Sequence, residues 1–156
     1  MAKRSKPLIQ NPYRASQVLD YAGMLEAPLS PTDIDGLIEW HNRAYIIIEV
    51  KHGHAQMRKG QRLALERMVK DFNKAGKSAV AIVVEHYVDD TQKSVFVASK
   101  IVREVYFDVE RQWRSPHGKV TARDFVQGYI EWLNSNKVSQ NETSESPIVD
   151  KSKNKE

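Results

Sequence analysis

The sequence predicts an α/β protein with a mixed central sheet flanked by helices. Three observations predict it. Residues 33–51, DIDGLIEWHNRAYIIIEVK, read as two strands joined by a tight turn. Residues 54–77, HAQMRKGQRLALERMVKDFNKAGK, carry apolar side chains at helical spacing. Residues 78–87, SAVAIVVEHY, form a nearly continuous apolar run rich in Val, as a strand buried on both faces does. Strand, helix and buried strand in that order make a β-α-β crossover, and so at least one parallel pairing.

Taken from the N-terminus, residues 1–12 are basic, contain Pro7 and Pro12, and predict a flexible arm. Residues 14–28 place Val18, Leu19, Ala22 and Leu25 near helical spacing, which predicts a helix ending before Pro28. Residues 29–33, LSPTD, are turn chemistry. The two strands of the hairpin follow. In the next helix, Met57, Ala64, Leu65, Met68, Val69 and Phe72 mark the apolar face, and Gly76 stops it. Its other face holds Arg58, Lys59, Arg62, Arg67, Lys70 and Lys74. That face is either a solvated surface or one that meets phosphate. Residues 94–108, SVFVASKIVREVYFD, predict one or two further strands, and residues 115–118 a turn. Thr121 predicts an N-cap, with Asp124 three positions on, for a last helix that turns Phe125, Ile130 and Leu133 to a core and Trp132 to its edge. From Ser135 the composition is polar, which predicts a disordered tail. The organisation expected is an arm over 1–12, one domain over 13–134 and a tail over 135–156.

Composition narrows the classes. The 156 residues suit one domain plus tails, and 40% apolar residues are enough for a core. No apolar run approaches the roughly 18–20 residues that span a membrane. The basic start lacks the apolar stretch of a secretory signal. The absence of cysteine excludes disulfides and thiolate metal sites and fits a cytoplasmic protein. A net charge of +4 suits a nucleic-acid partner.

The hairpin carries the chemistry. Alternation sets Ile34, Gly36, Ile38, Trp40, Ala44, Ile46, Ile48 and Val50 on one face. The other face holds Asp33, Asp35, Leu37, Glu39, Tyr45, Ile47, Glu49 and Lys51. A three-residue loop, His41-Asn42-Arg43, keeps apolar positions opposite one another and pairs Trp40 with Ala44. Asp35 then lies opposite Glu49, and Asp33 opposite Lys51. Cβ atoms of directly opposed residues sit about 4.5–5.5 Å apart. Two carboxylates that close repel, and one must be pushed toward its protonated form unless a cation lies between them. Mg²⁺, held by carboxylates, water and a substrate phosphate, meets that need. Lys51 points into the same space, where an ammonium can orient water or stabilise charge on phosphate. The bland alternative is an Asp33–Lys51 surface ion pair worth about 0–1 kcal/mol, with Asp35 ending a strand and Glu49 in solvent.

The acid near the start of one strand followed by Glu49-Val50-Lys51 on the next resembles the signature of the PD-(D/E)XK nuclease superfamily. The resemblance covers roughly residues 14–87. It implies a restriction-endonuclease-like α-β-β-β-α-β core, here with extra C-terminal strands and a helix. Carried over by position, Asp35, Glu49 and the Val50 main-chain carbonyl would hold Mg²⁺, for which Mn²⁺ can substitute, and Lys51 would be the catalytic lysine. The usual Pro-Asp pair is absent: Pro31 is followed by Thr32, so Asp33 is a second candidate for the ligand. Some members, Holliday junction resolvases among them, carry an acid on the first helix, where Glu26 stands here. Several exonuclease-like members carry a Gln on the helix after E-x-K, where Gln61 stands. The family's first strand would come from residues 6–13 or from near Leu29. His52 and His54 are read as phosphate contacts or loop residues, since a zinc site lacks a third ligand. The activity implied is an Mg²⁺-dependent DNA endonuclease selective for branched DNA, acting as a homodimer as resolvases do. Arg58, Lys59 and Arg62 would meet the DNA backbone. An exonuclease of the same fold, a catalytically idle nucleic-acid-binding module and a small structural adaptor remain the alternatives.

Overall fold

The computed structural model describes residue 21 and residues 31–142. The chain divides into two compact units, Met1–Thr32 and Asp33–Glu156. The arm over 1–12, the helix expected over 14–28 with Glu26, and both candidate first strands lie outside the described residues. The domain start expected at residue 13 also lies outside the described residues. The sheet of the second unit has five strands in the spatial order β1 to β5. They are β1 (Gly36–Trp40), β2 (Ala44–His52), β3 (Ser78–His86), β4 (Ile101–Phe107) and β5 (Gln112–Arg114). The helices are α1 (Lys59–Lys74), between β2 and β3, and α2 (Ala122–Glu142), after β5. β2 and β3 run parallel and the other neighbours antiparallel, so the sheet is mixed as expected. Of the order α-β-β-β-α-β, the described residues carry β-β-α-β. No helix among them is long and apolar enough to cross a membrane.

Local chemistry explains the hairpin. His41 and Asn42 take left-handed backbone, with φ of 48° and 55°, which gives the turn a twist that suits antiparallel strands. The Arg43 N–H donates to the Trp40 carbonyl at 2.9 Å. Trp40 pairs with Ala44 and Gly36 with Ile48, which is the register the hydrophobic pattern selects. α1 begins at Lys59, five positions inside the expected stretch, because residues 53–58 form the turn out of β2. It ends as expected. Gly76 has φ of 76°, its N–H donates to Asn73, and the Lys77 N–H donates to Phe72, each at 3.0 Å, which satisfies the carbonyls of the last turn.

Both faces of the sheet are covered. Ala44, Ile46, Val80, Ile82, Val84, Val102 and Val105 pack with Ala122, Tyr129 and Leu133 of α2. Ile47, Ala79, Ala81, Val83 and Tyr106 pack with Leu65 and Val69 of α1. The hairpin face bearing the charged residues is thus not an open surface along its length. Tyr45 stacks on Phe72 at 4.1 Å and Ile47 is fully buried beneath α1. On β2, the charged part of that face is its far end, at Glu49 and Lys51.

Three elements differ from expectation. Residues 94–96 form no strand; Val97–Ser99 is a single 3₁₀ turn and Phe96 is exposed. β5 follows a turn in which Arg111 is left-handed, and Trp113 holds it down. The Trp113 indole N–H donates to the Glu66 carboxylate at 2.7 Å, and its ring lies 4.9 Å beneath the Arg62 guanidinium. α2 starts as expected: Thr121 Oγ1 accepts the Asp124 N–H at 3.1 Å and its hydroxyl donates to the Asp124 carboxylate at 2.7 Å. It then runs on through Ser135 to Glu142, past the boundary that polar composition suggested.

Candidate active site

α1 runs back along β2. Its last turn lies on Tyr45, and its first turn comes to the end of the strand where Glu49 and Lys51 project. Glu49 is 2% exposed, a rare placement for a carboxylate. Its Oε1 lies 2.6 Å from the Lys51 Nζ, and its Oε2 is buried with no hydrogen-bond partner. Lys51, its side chain 20% exposed, also donates to the Gln61 Oε1 at 3.3 Å. The Gln61 amide in turn donates to the Asp33 main-chain carbonyl at 3.4 Å. Asp35 sits just before β1, and its Oδ2 accepts the Val50 N–H at 2.7 Å. The ladder stops at Gly36, so Asp35 meets β2 through its side chain.

Burial pushes the Glu49 carboxyl above its ordinary value, and the Asp35 charge pushes the same way; the Lys51 ammonium and the Gln61 amide oppose them. The charge of Asp35 thus reaches Glu49 as the register requires. A buried carboxylate with one unpartnered oxygen and a second carboxylate just before β1 are the oxygen donors that a hard divalent cation takes, and the Lys51 ammonium stands beside them. Among the described residues, no three His, Asp or Glu side chains group closely enough to enclose a metal unaided. Water and substrate oxygen would have to complete the shell.

The other candidates are placed as follows. Asp33 is exposed and joins the site through its main chain rather than as an ion pair with Lys51. Arg58 and Lys59 are exposed at the start of α1. Arg62 faces the sheet instead, bonded to Glu104 at 2.8 Å. His52 lies 2.8 Å from Asp89 at its Nε2 and 5.2 Å, ring to ring, from His86; His54 lies edge-on to Tyr87.

Arg103 and Glu104 went unremarked in the sequence. Val83 pairs with Glu104 but Val84 with Val102, so Arg103 is an extra residue, a β-bulge in β4. A signal was present: in IVREVYF the Arg-Glu pair breaks the alternation of a half-buried strand.

No protein-family model, curated protein or solved structure matches the chain.

Proposed function

We propose that the protein is an Mg²⁺-dependent DNA endonuclease that hydrolyses phosphodiester bonds at the Asp35–Glu49–Lys51 end of the sheet. The observation that carries this reading is Glu49. An ion pair kept only for stability would be exposed and worth little, whereas this carboxylate is desolvated and one of its oxygens lacks any partner. Burial at that cost is expected where charge does chemistry.

Asp35, Glu49 and the Val50 main-chain carbonyl would hold the cation, with Mn²⁺ as a substitute. When bound, Mg²⁺ supplies polarisation of the phosphate and a water of lowered pKa. The residues of the chain do the rest. Glu49 fixes the Lys51 ammonium at 2.6 Å, and Gln61 fixes it from the other side. An amine held in this way can orient the attacking water or offset negative charge building on the phosphate. Arg58 and Lys59 stand exposed at the start of α1, where they can meet the DNA backbone and displace its counterions.

Branched DNA is the substrate class proposed, with a homodimer cutting paired strands. The Lys51–Gln61 contact favours a second reading, an exonuclease of the same fold, because exonuclease-like members carry a Gln at that place. The test is digestion of a four-way junction beside matched linear and nicked duplexes in Mg²⁺, with Glu49→Ala and Lys51→Ala alongside. Paired incisions at the junction are expected, abolished in both variants. Mononucleotides released from linear ends would select the exonuclease reading. Full activity in both variants would remove the mechanism, and salt-sensitive binding without cleavage in Mg²⁺ or Mn²⁺ would leave a binding module.

A further inference from the structure

The bulge in β4 delivers a guanidinium to the turn that separates the two halves of the site. Arg103 is the extra residue, and its side chain is only 15% exposed. Its Nη1 donates to the Gly53 carbonyl at 3.2 Å and its Nη2 to the Ala55 carbonyl at 3.0 Å. Its Nε lies 3.4 Å from Glu104, whose other oxygen holds Arg62 at 2.8 Å. The turn it grips is a special one. Gly53 is buried with φ of 52°, and its N–H donates to the His86 carbonyl at 2.7 Å. The Ala55 N–H closes back on the His52 carbonyl at 3.2 Å.

This turn joins Lys51, at the end of β2, to Gln61, in the first turn of α1. Arg58, the N-cap of α1, makes no side-chain cap bond, so no cap fixes where the first turn lies. Two fixed points set it from the β4 side. One is the Arg103 fork on the carbonyls of Gly53 and Ala55. The other is Glu104 on Arg62, the residue next to Gln61. We infer that Arg103 is a positioning residue, which holds the Gly53–Ala55 turn and thereby sets Gln61 against Lys51; this rests on the proposed Asp35–Glu49–Lys51 site, in which Gln61 holds the Lys51 ammonium. A planar fork can hold two carbonyls at once in fixed geometry, and an ammonium on a flexible stem cannot.

The experiment uses the full chain, isotope-labelled for NMR, without DNA or metal, as wild type, Arg103→Lys and Arg103→Met. Two readings are taken: amide hydrogen exchange, and the resonance of the Gln61 side-chain amide. Loss of the fork is expected to speed exchange at Ala55 and Arg62 about tenfold, with the buried amides of β3 unchanged. The Gln61 resonance is expected to move in both variants, because lysine restores the charge and not the fork. Unchanged exchange at Ala55 and Arg62 overturns the inference. So does a rise spread evenly over β3, which marks a general loss of stability, and so does a Gln61 resonance left at its wild-type position. No DNA is present, so a wild-type protein that cleaves nothing removes the nuclease proposal and leaves this one to be decided by the same readings.

Discussion

The two faces of the sheet are built from the same strands and do different things. Under α2, Ala44, Ile46, Val80, Ile82, Val84, Val102 and Val105 continue one apolar layer across three strands. Under α1 the layer starts in the same way, with Ile47, Ala79, Ala81 and Val83 against Leu65 and Val69. It then gives way at one end to Glu49, Lys51, Gln61, Arg62, Arg103 and Glu104. Alternation in β2 and β3 places a stable core on one side and lets the other side hold charge out of water. The apolar layers stabilise the fold. The buried carboxylate at the end of the α1 layer costs stability unless a cation answers it.

Substitutions can break or sharpen that contrast. The largest effects are expected in the apolar layers. Ile46 and Ile47 are both fully buried, one on each face. Ile46→Ala and Ile47→Ala are each expected to cost about 2–5 kcal/mol in urea unfolding, with equal m-values. If Ile47→Ala costs far less, the α1 face is not packed to the same density.

Lys51→Met comes next. It strands Glu49 as a desolvated anion without its cation, which is expected to cost about 1–3 kcal/mol at neutral pH. The loss is expected to shrink on acidification, as Glu49 takes up a proton. A cost that stays constant from pH 7 to pH 5 would show that Lys51 packs there rather than pairs.

Glu49→Gln has the smallest expected effect on metal-free stability, and its sign is what matters. The folded-state value of Glu49 is raised above 4.5. The native state therefore holds a proton that the unfolded chain has already released, so this group's contribution to stability falls as pH rises through that window. Glu49→Gln is expected to remove that fall and leave the metal-free protein at least as stable as wild type at neutral pH. Thermal melts of both proteins across pH 4–7 check it, and a variant that melts lower throughout would reverse the sign.

How much of this was legible in the sequence depended on how local the cause was. The hairpin register was legible because turn length and alternation both act within residues 33–51, and they agree. The end of α1 was legible in Gly76, and the start of α2 in Thr121 and Asp124. β5 was not, because Trp113 is held by Glu66 and Arg62 from a distant helix. The extent of α2 was hidden by polar residues that a helix accepts as readily as a tail does; Ser135, for instance, bonds back to the Glu131 carbonyl at 3.0 Å. At the site, Asp35, Glu49 and Lys51 could be brought together by counting along two strands. The burial of Glu49 could not, since it comes from α1 lying over a face that the hairpin alone leaves open. The bulge that aims Arg103 depends on pairing between β3 and β4, and only the broken alternation hinted at it.

The most direct measurement is a Mn²⁺ titration of the full chain followed by thermal melting, with Glu49→Gln beside wild type. A cation held by Asp35 and Glu49 is expected to raise the melting temperature of wild type with increasing Mn²⁺ and to leave that of Glu49→Gln unmoved. A wild-type protein that does not respond, or a variant that responds equally, would contradict a cation site built on the buried carboxylate.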